Sequence, residues 1–204
     1  MASKAASINV ICRTEVPLER TLGPEVGAYI KSLHESKGVQ FVINAEVTAF
    51  SSASGAQEDD NVQYVHLTKV SGETSVLSAD LVVMGIGVYP ATNYLQDCNV
   101  QMDEQGHVVT NEFMQSSVGN IFAAGDIAKF PLDLPTIKTN VAIGHWQMAH
   151  SHGRIAGLNI SQERKQSLKT VPFFWTVQFG QSLRYAGFAP KYDDIIYEVR
   201  NYDF

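Results

Sequence analysis

The pattern of apolar and polar positions opens on Ile8-Asn9-Val10-Ile11-Cys12, a strand-like run, followed by a loop containing Pro17 and a helical stretch from Pro24 to Lys37. Val26, Ile30, Leu33 and His34 recur on one helical face, and Gly38 supplies the stop. Val39 to Asn44 is strand-like again, so the opening predicts strand, helix and parallel return strand, half of a doubly wound sheet. Glu46 to Ser51 leads into Ser51 to Asn61, which has no periodicity and reads as a loose hairpin loop. Gln63 to Val70 and Thr74 to Leu77 alternate around Ser71-Gly72, as antiparallel strands do. Leu81 to Ile86 is nearly all apolar, the pattern of a strand buried on both faces.

Pro90 redirects the chain, after which Ala91 to Gln96 predicts a short helix and Val108 to Thr110 a short strand. Asn120 to Ala124 reads as a second buried strand. The longest helical pattern runs from Asn140 to Asn159, with Asn140 as its amino-terminal cap. From Val171 the texture turns aromatic, with strands predicted at Phe173 to Phe179 and Leu183 to Phe188, joined by Gly180-Gln181-Ser182.

Composition narrows the class. With 45% hydrophobic and 18% charged residues the chain has ample material for a core, as a soluble globular protein does. A net charge of -6 without any basic run excludes a binder of nucleic-acid backbone, whose affinity comes from clustered Lys and Arg. Cys12 and Cys98 lie in different predicted elements, which argues against a disulfide framework and for two buried thiols in a reducing compartment. The first apolar run is strand-length, not membrane-length, and Met1 to Ser7 is no signal peptide. An intracellular location, cytoplasmic or mitochondrial, is expected, with a targeting segment upstream left open.

The segment richest in chemistry is Val118-Gly119-Asn120-Ile121-Phe122-Ala123-Ala124-Gly125-Asp126. A strand ending in glycine lets the backbone approach a ligand, and a carboxylate at its carboxyl end can accept a hydrogen bond from a sugar-alcohol hydroxyl. A structural Asp capping the next turn is the plain alternative. Upstream lies Gly85-Ile86-Gly87-Val88-Tyr89-Pro90, where Gly85 and Gly87 are expected to leave room beside a buried strand. His145, His150 and His152 do not have metal-ligand spacing: helical offsets bring His145 and His152 to one face and swing His150 away, with no HExxH pattern and no nearby Cys pair.

Taken in order, the G-x-G-x-x-P crossover and the G-x-I-F-A-x-G-D segment resemble those of the glutathione-reductase-like flavoproteins. His145-Trp146-Gln147-Met148-Ala149-His150 and Ser182-Leu183-Arg184-Tyr185-Ala186-Gly187 are most similar to the ferredoxin-reductase and apoptosis-inducing-factor branch, to a member with an amino-terminal Rieske domain. The resemblance runs from Ile8 to about Ile196 and implies an α/β fold: incomplete FAD/NAD(P)-binding, doubly wound (Rossmann-like) domains, then the start of an α+β reductase carboxy-terminal domain. It assigns 1–89 to the carboxy-terminal part of the NAD(P)-binding domain, 90–168 to the returning part of the FAD-binding domain, and 169–204 to the truncated beginning of the dimerisation-type carboxy-terminal domain.

That resemblance implies FAD held by Gly125 and Asp126, with Asp126 on the ribityl chain, and a helix beginning near His145 aimed at the flavin's pyrimidine ring. Trp146 and Trp175 edge the flavin or serve as ordinary packing. Arg13, Gly85 and Gly87 fall on the nicotinamide side, where Cys12 stands in place of the usual acidic residue and leaves NADH against NADPH open. No catalytic acid or base is implied, since the cofactor performs the chemistry. Electrons would pass from NAD(P)H through flavin to an iron-sulfur acceptor, with no iron-sulfur cluster carried over to this chain, whose residues do not supply the Rieske ligands.

No Gly-x-Gly-x-x-Gly turn occurs in these 204 residues, although a reductase of this kind uses one for each pyrophosphate. The chain is therefore read as a fragment or short isoform that binds either cofactor weakly or not at all, with homo-association through unpaired strand edges. The competing reading is a non-catalytic interaction module or truncated regulator, including one in apoptosis signalling.

Overall fold

A computed structural model describes residues 4–52, 61–135, 137–161 and 165–198. The chain divides into two units, Met1–Gly85 with Ala189–Phe204, and Ile86–Phe188.

In the first unit, β1 (Ile8–Ile11) pairs in parallel with β2 (Val39–Val42), Ile8 opposite Val39, and α1 (Glu19–Glu35) connects them. This is the expected strand, helix, parallel strand. The helix begins earlier than Pro24 because one turn precedes a kink at Gly23, whose φ of 81° lies in the left-handed region, and Pro24 then starts the regular part. A side chain at Gly23 would collide with Ile195, which lies 2.6 Å from the ideal Cβ position, and the Tyr197 hydroxyl donates to the Glu25 carboxylate beside it. Ile30 and Val39 are buried, as the apolar face of α1 requires.

A separate antiparallel sheet follows in the order β3 (Ala45–Ser51), β4 (Tyr64–Lys69), β5 (Thr74–Ser78), with Val65 and Leu67 inward on the central strand. A bulge shifts the β3–β4 register between Val47 and Ala49. The loop expected over Ser51 to Asn61 falls largely on residues 53–60, outside the described ones.

The expected strand at Leu81 to Ile86 is not present. Residues 81–92 form no ladder with any described strand, and Leu81, Val83 and Met84 are all exposed, with Ile86 86% exposed. Gly85 and Gly87 consequently face open space rather than leaving room beside a buried strand. An apolar run states a need for burial, but a strand forms only where a neighbour offers its backbone groups.

In the second unit a 3-10 turn at Asn93–Leu95 replaces the short helix, and β6 (Val108–Val109) runs parallel to β7 (Ala128–Leu134). β8 (Ile137–Val141) returns antiparallel to β7 and contains Asn140, which pairs with Pro131. Asn140 is therefore not a helix cap, and α2 begins six residues later, at Trp146–Ser161. The predicted helix thus loses Asn140 and Val141 to β8, whose backbone pairing with β7 satisfies the groups that a helix would otherwise bond internally. Asn120 to Ala124 is likewise not a strand: Phe122 makes one isolated bridge to Gln115, and the Ala123 N–H donates to the Met114 carbonyl.

The core of this unit is built from Val108, Met114, Ala128, Phe130, Leu132 and Met148. Beside it, Lys129 donates to Asp103 at 2.8 Å, and His107 and Gln105 donate their backbone N–H groups to the same carboxylate. Burial pushes Asp103 upward, but these donors outweigh it and hold the carboxyl well below the usual carboxylate range. β9 (Phe173–Gln178) and β10 (Gln181–Ala186) form a hairpin. The two-residue turn is Phe179-Gly180, both at positive φ, rather than the three residues from Gly180.

Cys12 is half-buried, where desolvation raises its thiol pKa and Lys31 opposes the rise. Cys98 is exposed, contrary to the expectation of two buried thiols. No helix among the described residues is long and apolar enough to cross a membrane.

Candidate functional site

Gly125 and Asp126 lie in a 3-10 turn, Gly125–Ile127, between the loop at 120–124 and β7. The turn reverses the chain through Gly125, which has φ 77° and an ideal Cβ position only 3.6 Å from the Ala149 methyl. A left-handed backbone packed against α2 is a combination that glycine meets without strain. The exposed Asp126 carboxylate then reaches Gly144, just ahead of α2, where an added Cβ would sit 3.4 Å from Asp126 Oδ2.

The first bond of α2 runs from the Ala149 N–H to the His145 carbonyl, so His145 is the capping residue and the N–H groups of the first turn point out of the helix end. Asp126 and the positive end of the α2 dipole thus share one locality. An exposed acceptor beside a helix amino terminus can take a hydroxyl hydrogen bond and favour negative charge in the same ligand.

Behind the turn, His152 is fully buried. Its Nδ1 accepts the Gly125 N–H at 3.2 Å, and its ring meets Phe130 edge-on at 4.4 Å between centroids. Burial pushes its pKa down to about 4 against the upward effects of the Gly125 N–H and Asp126, so the ring is neutral at pH 7 with its proton on Nε2. That Nε2 has no partner among the described residues, and neither has the buried His145 Nδ1. An unpaired buried polar group costs about 1–3 kcal/mol, which the Phe130 contact, at about 0.5–1.5 kcal/mol, offsets only in part.

The remaining residues singled out in the sequence are scattered. Trp146 is 77% exposed and stacks on His150 at 5.3 Å, while Trp175, also exposed, stacks on Phe173 at 5.9 Å. His145 contacts Phe174 at 5.6 Å, which ties the helix start to β9. Arg13 is exposed just past β1, in the other unit. Two members of the locality escaped the sequence reading: Gly144, which carried no signal, and His152, which was noted only as sharing a face with His145.

The residues fit a flavin dinucleotide at this position: a carboxylate open to hydroxyl donors, a side-chain-free approach at Gly125 and Gly144, and an unpartnered imidazole nitrogen at the helix mouth. The fold is that of part of the dinucleotide-binding oxidoreductases. The sequence profile of the pyridine nucleotide-disulphide oxidoreductases matches residues 1–153, and the chain belongs to that family.

Among curated relatives it is 38% identical over 197 residues to apoptosis-inducing factor 3 of Homo sapiens and 37% identical over 196 residues to that of Mus musculus, covering 96% of this chain in each case. The chain spans 31% of the length of each of these relatives. The solved structure of a covalent putidaredoxin reductase–putidaredoxin complex superposes with a TM-score of 0.77 at 28% identity, covering 91% of this chain and 42% of that one.

Proposed function

We propose that this chain forms part of an FAD-dependent NAD(P)H oxidoreductase that passes electrons from nicotinamide through flavin to an iron-sulfur acceptor. The observation that carries the reading is the Asp126 carboxylate lying against Gly144 at the amino terminus of α2. Apoptosis-inducing factor 3 and the putidaredoxin reductase of the solved complex support it as relatives in sequence and fold.

FAD, when bound, supplies the redox chemistry, taking hydride from the nicotinamide and releasing electrons to the acceptor. The chain's own contribution is orientation and electrostatics. Asp126 accepts a hydrogen bond from a ribityl hydroxyl. The amino-terminal end of α2 would favour negative charge on a flavin held there. Gly125 and Gly144 keep side chains out of the approach. Arg13, Gly85 and Gly87 belong to the nicotinamide side only by resemblance, and the setting is intracellular, cytoplasmic or mitochondrial.

Since the 204 residues hold no Gly-x-Gly-x-x-Gly turn, the chain alone is expected to bind FAD weakly, with Kd of about 100 µM or above. Titration of the chain with FAD, read by quenching of flavin fluorescence, checks this. Asp126→Ala should weaken binding by about 3–10-fold, the worth of one neutral-to-charged hydrogen bond in partly open surroundings. Equal affinity of the variant and the wild-type chain would remove Asp126 from the site, and a stoichiometric yellow protein reduced by NADH would overturn the expected weakness.

A second reading, a non-catalytic interaction module, is favoured by the exposed apolar stretch from Leu81 to Tyr89. Under it, the chain associates with a partner or with itself at concentrations where no flavin binds, a difference that sedimentation with and without FAD would reveal.

A further inference from the structure

From the geometry behind the turn we infer that His152 is the positioning residue for Asp126. The inference rests on the reading that Asp126 holds a flavin hydroxyl, and extends it to a residue that touches no ligand. Gly125 can occupy the left-handed region, but nothing in a glycine compels it to stay there. The buried His152 Nδ1 accepts the Gly125 N–H at 3.2 Å and orients the peptide unit immediately before Asp126.

Because His152 stands on the second turn of α2 and Gly144 lies just before its first, one helix sets both sides of the carboxylate. Phe130 from β7 presses edge-on against the imidazole at 4.4 Å and restricts its rotation. For Nδ1 to accept, the proton must sit on Nε2, which finds no acceptor among the described residues. The bond to the Gly125 N–H accounts for a histidine in a fully buried place at that expense. An apolar side chain would fill the space beside Phe130 but leave the Gly125 N–H with nothing to bond.

His152→Gln keeps an acceptor within similar reach, whereas His152→Leu keeps bulk and removes it. In a uniformly 15N-labelled wild-type chain, a scalar coupling across the hydrogen bond should link the Gly125 and His152 Nδ1 nitrogens, with the ring in the Nε2–H tautomer. His152→Leu should raise Gly125 amide exchange by about tenfold or more and weaken FAD binding by about 3–10-fold, while His152→Gln restores most of both.

Absence of the wild-type coupling would overturn the proposal without any variant, even if His152→Leu does not fold. A folded Leu variant with wild-type exchange at Gly125 and wild-type FAD affinity would overturn it equally. Should Asp126→Ala leave FAD binding unchanged while the Gly125 coupling is present, the flavin reading of Asp126 fails. The ligand-related part of this proposal then falls with it, and the Gly125 measurement still shows which of the two was wrong.

Discussion

Two stretches of this chain carry the same apolar signature and meet different fates. Leu81 to Ile86 and Asn120 to Ala124 both read as buried strands, and neither is one. The first is open to solvent apart from the half-buried Val82, with Ile86 86% exposed. The second, though irregular, is packed: Ala123 is only 6% exposed, Phe122 packs against the core, and both Ser116 and Ala123 donate backbone hydrogen bonds within the loop. The difference lies in the neighbours each finds. Residues 120–124 close on Met114 and Gln115 through a local turn that needs no distant strand, whereas residues 81–86 find no ladder partner among the described residues. Apolar content sets how strongly a segment seeks burial, and topology decides whether that is met.

The largest effect should come from removing the floor beneath the packed stretch. Phe130 is fully buried in the cluster that includes Ala123 and Met148. Phe130→Ala should lower the unfolding free energy by about 3–5 kcal/mol, measured by urea denaturation followed by far-ultraviolet dichroism. A loss under about 1 kcal/mol would mean that this region is not the solid core the comparison assumes.

Acid should separate two further supports of the same unit. His152 has a folded-state pKa of about 4, below its ordinary 6.5, so the unfolded chain binds the proton first on acidification. Its contribution is whole above 6.5 and is lost as pH falls to about 4, by roughly 2–3 kcal/mol at most. Asp103 is also depressed, and its contribution is present above the ordinary 3.8 and lost only as pH falls below that. Urea midpoints should therefore decline in two stages. His152→Gln should flatten the upper stage and Asp103→Asn the lower, and a decline confined to one stage would contradict the geometry of the other group.

Local pattern made much of this legible. The β1–α1–β2 unit, the β3–β4–β5 meander and the β9–β10 hairpin all stand within a few residues of where alternation and turn residues put them. Gly125-Asp126 could be singled out because a strand-like run ending in Gly-Asp already suggests a ligand-facing corner. The His152–Gly125 bond could not, since it joins residues 27 apart through a loop at 120–124 whose apolar pattern predicts a strand instead. The β7–β8 hairpin was lost for a related reason: Asn140 is an excellent helix cap in isolation, and only its pairing with Pro131 across the sheet shows that the helix starts later.

The smallest expected effect is the most direct test of the opening contrast. Ile86→Ser replaces a large apolar side chain in the open stretch, where burial would normally make such a change cost several kcal/mol. With the side chain 86% exposed, little contact is available to lose, and the unfolding free energy should move by less than about 0.5 kcal/mol. Paired with the Phe130 variant in the same denaturation series, it gives a ratio of effects that exposure alone predicts. A loss of about 2 kcal/mol or more in the dilute chain would show that residues 81–86 are covered in solution, and the two apolar stretches would then differ in regularity rather than in burial.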